Sequence, residues 1–435
     1  MSSLFARGTG LPTAVSASGA WVTDSEGKQY LDAAGGAIVV GIGHGDAAVA
    51  EAMAIQAKEL AYVHGSAFTT KAEEDYAAEI AAVVPMDEAR VYPVSGGSEA
   101  METALKMARA YHIATGSNER STIVARGSSY HGNTRGALDV SGREPLRRPY
   151  APWLGQTVRV PGVSEYRCPN PDHPQDCAAW HAAALESTIT AIGSENVAAF
   201  VAEPIGGAAS GAAVPPDGYW SLISEVCRRH GVLIIADEVM TGFGRTGEWF
   251  ACEHFGLVPD ILVAAKGASS GYWPIGLAVT SGEIHRAIEE GGGLVHGFTW
   301  SHHPVGAVVG LAVLDRIRSL RLIDRSRTQG VRLLERLRRA LGEHPRVGDV
   351  RGLGLFACVE LVEDRGSKRP FERSRHVAEG IVATAKDNGL LLYPSTGNAD
   401  GSNGDYLLIG PPLTVLDDEV DLIVDRLGLS LRGLA

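Results

Sequence analysis

The sequence predicts an α/β protein: a large domain on a mainly parallel sheet flanked by helices, with a smaller α+β domain beside it. Three observations carry this. Val232-Leu233-Ile234-Ile235-Ala236 is apolar on both faces, and a strand buried on both sides belongs in a parallel sheet covered by helices. Apolar runs and helical patterns alternate up to about residue 315, as βαβ units do. Beyond that point helices and strands segregate, which is the α+β pattern. The expected division is residues 1–45 as a segment contributing to the small domain, 46–315 as the large domain and 316–435 as the C-terminal small domain.

Taken in order, Trp21-Val22 and Gln29-Tyr30-Leu31 flank Asp24-Ser25-Glu26-Gly27, which predicts a hairpin. Residues 46–60 repeat apolar positions at helical spacing. Ser95-Gly96-Gly97-Ser98 opens a helix over about 99–115, where Met101, Ala104, Leu105 and Ala108 make one apolar stripe. Apolar runs at 121–125, 196–202, 261–265 and 276–280 read as further strands. Asp217 is expected to cap a helix with Arg228, Arg229 and His230 in its last turn and Gly231 as its stop. Residues 305–341 read as one long amphipathic helical region. Strands over 349–361, a helix near 374–388, strands at 390–393 and 406–409 and a helix after Leu416 complete the chain.

A formal charge of −12 argues against a partner as acidic as nucleic acid or an anionic membrane. No apolar run approaches a membrane-spanning length. Residues 1–10 lack a charged region followed by an apolar one, so no secretory signal is expected. Five cysteines in 435 residues do not suggest a disulfide framework. Together these predict a cytoplasmic protein. Cys168, His173 and Cys177 fall within ten residues. A structural zinc site takes four ligands and no fourth is evident nearby, so the expectation is no metal and a proline-stiffened surface excursion.

The chemistry centres on Ile261-Leu262-Val263-Ala264-Ala265-Lys266-Gly267. An amine at the mouth of an apolar strand is desolvated, which lowers its pKa and frees its lone pair for a carbonyl. The alternative is a solvated lysine at a strand end. Asp237 ends another doubly apolar strand, at the edge where open α/β sheets bind ligands. The two residues therefore end strands that can lie close in one sheet. Ser95-Gly96-Gly97-Ser98 offers backbone N–H groups to an anion at a helix start, or is simply an N-cap. Tyr130 and His131, in Gly127-Ser128-Ser129-Tyr130-His131-Gly132, stack on a planar ligand or form a surface turn.

Asp237-Glu238-Val239-Met240-Thr241-Gly242-Phe243-Gly244-Arg245-Thr246-Gly247, followed by Pro259-Asp260 and Ala265-Lys266-Gly267, resembles the class III (ω-type) pyridoxal-phosphate aminotransferases of fold type I. Ser95-Gly96-Gly97-Ser98-Glu99-Ala100, Tyr130-His131-Gly132, Ala202-Glu203-Pro204, Phe298-Thr299 and Gly410-Pro411-Pro412-Leu413 extend the likeness along most of the chain. The resemblance implies a seven-stranded sheet in the cofactor-binding large domain and pyridoxal 5′-phosphate as cofactor. It implies that Lys266 holds the cofactor aldehyde as an imine and later shuttles a proton. Asp237 would pair with the pyridine nitrogen. Val239 and Tyr130 would cover the two ring faces, with His131 and Gly132 alongside. Ser95, Gly96, Gly97 and Ser98 would cradle the phosphate, and Glu203 would stand near the phenolic edge. Thr299 would reach the phosphate of a neighbouring subunit, which implies a homodimer. The implied reaction passes an amino group from an amine or ω-amino acid to a keto acid by a ping-pong route.

Two positions depart from the pattern. Family members that act on α-amino acids often carry an arginine where this chain has Leu408, and a glutamate gate where it has Ala208. Carboxylates are best gripped by a bidentate guanidinium, so this switch is missing. Residues 394–405 contain no arginine either, leaving Arg135, Arg143, Arg147 and Arg148 as candidates for anion contact. The same scaffold resembles PLP-dependent lyases, racemases and decarboxylases, which the motifs alone do not separate from transaminases. A non-enzymatic binding module is the remaining alternative, and the intact Lys266 and Asp237 argue against it.

Overall fold

A computed structural model of the chain describes residues 3, 5, 8, 10–155 and 157–434. The reading of residues 1–10 for a signal therefore falls mostly outside the described residues. Strands β1 (Ala14–Ser18), β2 (Trp21–Asp24) and β3 (Gln29–Asp32) pair antiparallel in order. The expected hairpin turn is closed by the Asp24 carboxylate, which accepts from the N–H groups of Glu26 and Lys28 at 3.0 Å each.

The central sheet has seven strands: β4 (Arg90–Val94), β5 (Thr122–Arg126), β6 (Val158–Val160), β7 (Val197–Ala202), β8 (Leu233–Asp237), β9 (Ile261–Ala264) and β10 (Gly276–Thr280). Their spatial order is β4-β10-β9-β8-β7-β5-β6. β10 runs opposite to the other six strands, which are parallel to one another. Every residue of β7, β8 and β9 is buried. Side chains alternate along a strand, and the core follows that alternation. Phe200, Ile234 and Leu262 enter one apolar cluster with Ile223 and Leu185, which come from the helices Tyr219–His230 and Cys177–Ile192. Val201, Ile235 and Val263 enter another, with Met101, Ala104 and Ala108 of the helix Gly97–Ala114. Each such buried Val, Ile or Phe contributes about 1.5–3 kcal/mol. The sheet is thus fixed from both faces, and its strand ends are firm places to mount functional groups.

The C-terminal part forms a second sheet from β11 (Val347–Leu353), β12 (Phe356–Leu361), β14 (Tyr393–Thr396) and β15 (Asp405–Ile409), while β13 (Leu390–Leu391) leaves it and pairs parallel with β3. The run 390–393 is therefore split between two sheets. The region 305–341 is two helices, Pro304–Ser319 and Leu322–Leu341. Arg321 between them has φ 52, a left-handed turn that lets Leu322 enter the core. Asp217 makes no cap: the helix Tyr219–His230 starts after Gly218, which takes the left-handed conformation itself at φ 78. The expected stop at Gly231 is present, at φ 64. Among the described residues no helix is long and apolar enough to cross a membrane.

Candidate active site

Asp237 is the last residue of β8, and Lys266 follows β9 by two residues. The two strands are parallel neighbours, with Asp237 opposite Val263. Both side chains therefore reach a cavity of ≈ 380 Å³ at the carboxyl edge of the sheet. Lys266 has φ 46, a conformation that costs an ordinary residue about 1–2 kcal/mol. Its carbonyl is fixed by the N–H groups of Ser269 and Ser270, at 3.2 and 3.0 Å. Gly267 follows because a Cβ there would stand 2.8 Å from Phe243 Cβ. Loss of hydration brings the Lys266 amine down to about 8, while the nearby Asp237 and Glu203 charges pull the other way.

Asp237 is held on both oxygens. Oδ2 lies 2.7 Å from His131 Nδ1, and Oδ1 accepts from the Val239 N–H at 3.0 Å. His131 is anchored in turn by its own N–H, which donates to Ser141 Oγ at 2.9 Å. The bond to Asp237 assigns the His131 proton to Nδ1. Its Nε2 is buried and has no protein partner. Glu203 follows β7; its Oε1 accepts from the Gly207 N–H at 3.1 Å, and its Oε2 is buried without a hydrogen bond. Burial raises the Glu203 pKa against the opposing charges of His131 and Arg126.

Ser95-Gly96-Gly97-Ser98 joins β4 to the helix Gly97–Ala114 and lines the same cavity. No side chain caps this helix, which begins at Gly97, two residues before the expected start. The first N–H groups of a helix have no intrahelical acceptor, and the helix dipole favours an anion there. Ser95 Oγ is buried and unpartnered. Gly132 closes the cradle from behind at φ 141, with a Cβ position only 2.4 Å from Ser98 Oγ. Val239 packs over it, 3.1 Å from the Cβ position of Gly97. Tyr130 and His131 complete the lining.

Eleven of the twelve expected site residues thus line one cavity. Thr299 is the twelfth and does not: it is exposed, and its carbonyl accepts from Tyr62 Oη at 2.8 Å. Two supporting residues went unrecognised in the sequence. Arg126 donates to the Glu203 carbonyl at 2.6 Å. Glu238, buried on the far side of Asp237, accepts from the Cys252 N–H at 2.7 Å and from Thr241 Oγ1. Strand alternation was the available signal, because the neighbour of a cavity-facing aspartate must point into the core and needs partners there. Val39, Ile205, Met240 and Trp273 form the apolar wall. Ala208 also lines the cavity, and Leu408 lies behind it in the same apolar cluster. None of the four candidate arginines lines the cavity. Arg135 donates to the Trp153 carbonyl and Arg147 to those of Leu138 and Asp139, while Arg148 is exposed.

A family model described as Aminotransferase class-III matches residues 6–431. The chain belongs to the class III aminotransferases. It is 40% identical to the uncharacterized aminotransferase YodT of Bacillus subtilis, over 95% of this chain and 93% of that one. It is 34% identical to the putrescine–pyruvate aminotransferase of Pseudomonas aeruginosa, over 94% of this chain and 88% of the relative. An ω-transaminase from Pseudomonas jessenii, solved in complex with PMP, superposes with a TM-score of 0.91 at 32% identity, covering 98% of this chain and 93% of that one. The fold is therefore fold type I, and the protein is a PLP-dependent aminotransferase.

The residues present fit that cofactor. The unpartnered Ser95 Oγ and the helix start answer a phosphate. The His131-anchored carboxylate of Asp237 answers a protonated ring nitrogen. A buried amine of lowered pKa answers an aldehyde.

Proposed function

We propose that this aminotransferase takes its amino group from an amine or ω-amino acid and delivers it to a keto acid in a two-stage, ping-pong reaction. The observation that carries the donor class is the cavity wall. Among the described residues no arginine or lysine besides Lys266 lines the cavity, and Val39, Ile205, Ala208, Met240 and Trp273 make it apolar. A carboxylate on the reacting carbon, whether of a donor or of the keto acid, finds no guanidinium among these lining residues, so the wall itself favours the amine side of the exchange. A donor whose reacting carbon bears apolar groups meets matching surface. The name of the Pseudomonas aeruginosa relative, putrescine–pyruvate aminotransferase, supports the same donor and acceptor classes.

Bound in this cavity, pyridoxal phosphate supplies an electron sink for the pair left when a substrate carbon loses its proton. Asp237 would hold a proton at the ring nitrogen, and His131 and the Val239 N–H keep its carboxylate aimed. Lys266 holds the aldehyde carbon between turnovers and moves the proton at Nζ during them, a role its pKa of about 8 suits. Ser95, Gly96, Gly97 and Ser98 bind the phosphate, Val239 and Tyr130 cover the ring, Gly132 lets the cradle close and Glu203 orients the phenolic side. Each of these roles is inferred from placement and from the family resemblance.

A homodimer belongs to the same reading. Tyr62 and Trp300 are exposed apolar side chains beside Thr299, with their rings 5.5 Å apart. Such a surface is suited to a second subunit, whose cavity Thr299 would complete. The division into domains at residues 45 and 315, and a cytoplasmic place of action, complete the proposal; free thiols at all five cysteines suit a reducing compartment.

An anaerobic single-turnover experiment without keto acid tests the donor class. A panel of amines, ω-amino acids and α-amino acids is mixed with the enzyme while the cofactor's absorbance and the products are followed. Stoichiometric conversion to bound pyridoxamine phosphate plus a carbonyl product, with amines ahead of α-amino acids, is expected. Preference for an α-amino acid would overturn the donor assignment. Repeated turnover releasing ammonia or carbon dioxide would overturn transamination itself.

A further inference from the structure

The segment between β6 and the helix Cys177–Ile192 takes no part in the cavity. It nevertheless gathers three metal-ligating side chains. Cys168 Sγ and Cys177 Sγ are 3.4 Å apart, and His173 Nδ1 is 3.2 Å from Cys177 Sγ. All three donor atoms lie within 4.8 Å of one another. In a tetrahedral zinc site with ordinary bond lengths, sulfurs stand about 3.8 Å apart and sulfur and nitrogen about 3.6 Å. The two spacings that involve Cys177 fall about 0.4 Å short of those values, a gap that small side-chain rotations close.

The loop is knitted so as to keep the three together. Buried Asn170 donates through Nδ2 to the Gln175 carbonyl at 2.7 Å and stands 3.6 Å from Cys177 Sγ. Its carbonyl accepts the His173 N–H at 3.1 Å, and its Oδ1 accepts the Asp172 N–H at 3.1 Å. Cys177 is the first residue of its helix, so its place is fixed by the helix start. Cys177 is buried, while Cys168 and His173 are half-buried and leave one side open to water.

We propose that Cys168, His173 and Cys177 bind one zinc ion, with a water molecule as the fourth ligand. Two thiolates and one neutral imidazole form a soft donor set that suits zinc, and their two negative charges balance the ion's two positive ones. Binding forms two Zn–S bonds and one Zn–N bond, and the two thiol protons leave to solvent. Solvent supplies the ligand that the sequence does not.

The ion's role is to pin the segment that precedes it. Arg167, next to Cys168, pairs through Nε with Glu360, a fully buried residue of β12, and donates to the Lys368 carbonyl at 2.9 Å. Glu360 also accepts from Arg351 at 2.7 Å, and Arg351 donates to the carbonyls of Ser210 and Gly211 at 2.9 and 2.6 Å. The metal therefore holds the large-sheet side of a chain of charges that ends two residues from the cavity wall at Ala208.

The test is metal analysis of the full-length, cofactor-loaded enzyme purified under reducing conditions. One tightly bound zinc per chain is expected. After exchange into cobalt(II), the visible bands of a tetrahedral site with thiolate charge transfer should appear. His173→Ala and Cys168→Ser should each lower zinc affinity at least roughly a hundredfold, the upper end of what even an outer partner costs. Both variants should leave the cofactor's absorbance unchanged and lower the melting temperature. Absence of zinc and of a tetrahedral cobalt spectrum in the unaltered protein would overturn the proposal. So would a Cys168–Cys177 disulfide, seen as a mass lower by two hydrogens. Undiminished zinc in both variants would equally overturn it, since the ion would then sit elsewhere.

Discussion

The two ends of the cavity are built on different principles. Lys266 and Asp237 stand at the ends of adjacent strands, and the Ser95–Ser98 cradle stands at a helix start. The apolar wall comes from Val39, Ile205, Ala208, Met240 and Trp273, which lie on four loops, Ile205 and Ala208 sharing one. The reacting end needs particular functional groups at fixed directions, so it sits on elements whose positions the core already determines. The substrate end needs only shape and low polarity, which many apolar residues can supply. Changes at the first end should therefore be near all-or-none, and changes at the second should be graded.

The largest expected effect is at Lys266. Lys266→Ala should lower turnover by about 10⁴-fold or more, since no other amine among the described residues lines the cavity. Steady-state assays with an amine and a keto acid measure this. Retention of a tenth of the activity would break the assignment of the reacting end. Asp237→Asn should keep the cofactor bound yet slow turnover by about 10²–10³-fold, because the charge facing the ring is lost while its hydrogen-bond geometry survives. Cofactor loss with unchanged turnover of the remaining holoenzyme would instead make Asp237 a binding group only.

Gly132 probes the cradle rather than the chemistry. A methyl group there would meet Ser98 Oγ at 2.4 Å and Ala137 Cβ at 2.8 Å, on a backbone at φ 141. Gly132→Ala should cost about 1–3 kcal/mol, read as a cofactor dissociation constant raised roughly tenfold to a hundredfold. Unchanged cofactor affinity would show that the cradle has slack that the close contacts deny.

A pH experiment sharpens the same end. In protein stripped of cofactor, the Lys266 amine is held at about 8, against about 10.4 in an unfolded chain. Below pH 8 both states carry the proton and the folded state bears the cost of burying it. Between pH 8 and about 10.4 only the unfolded chain binds the extra proton, so this group makes stability rise with pH across that window. The rate of reaction with a small aldehyde should accordingly rise through a midpoint near pH 8. A midpoint near 10 would mean that Lys266 is solvated.

The contrast also explains what was legible in the sequence. Strands β7 to β9 were visible because double-sided burial leaves an unbroken apolar run, and Asp237 and Lys266 stood out because a charge ends that run. Local backbone choices hid the rest. The left-handed Arg321 breaks a pattern that stays amphipathic through it, and Gly218 starts a helix that Asp217 was better suited to cap by residue type. Arg126 and Glu238 support the site through partners distant in the chain, which residue spacing does not reveal. The Cys168–His173–Cys177 cluster was visible as letters but not as geometry, since only the folded loop brings its donors within 4.8 Å.

The smallest effect is expected at Ala208, and it tests whether the substrate end is a matter of shape. Ala208 lines the cavity, and its carbonyl is fixed by Ser395 Oγ at 2.6 Å and by Tyr406 Oη at 2.5 Å. Its backbone therefore will not yield to a larger side chain, and Ala208→Leu must take its volume from the cavity. A few methylene groups in an apolar pocket discriminate substrates by roughly 10–200-fold. A bulky amine should lose about tenfold in kcat/KM, while a small linear amine keeps its kcat, because Lys266 and Asp237 are untouched. Equal losses for both donors would mean that the wall and the reacting end move together, and the division between them would fail.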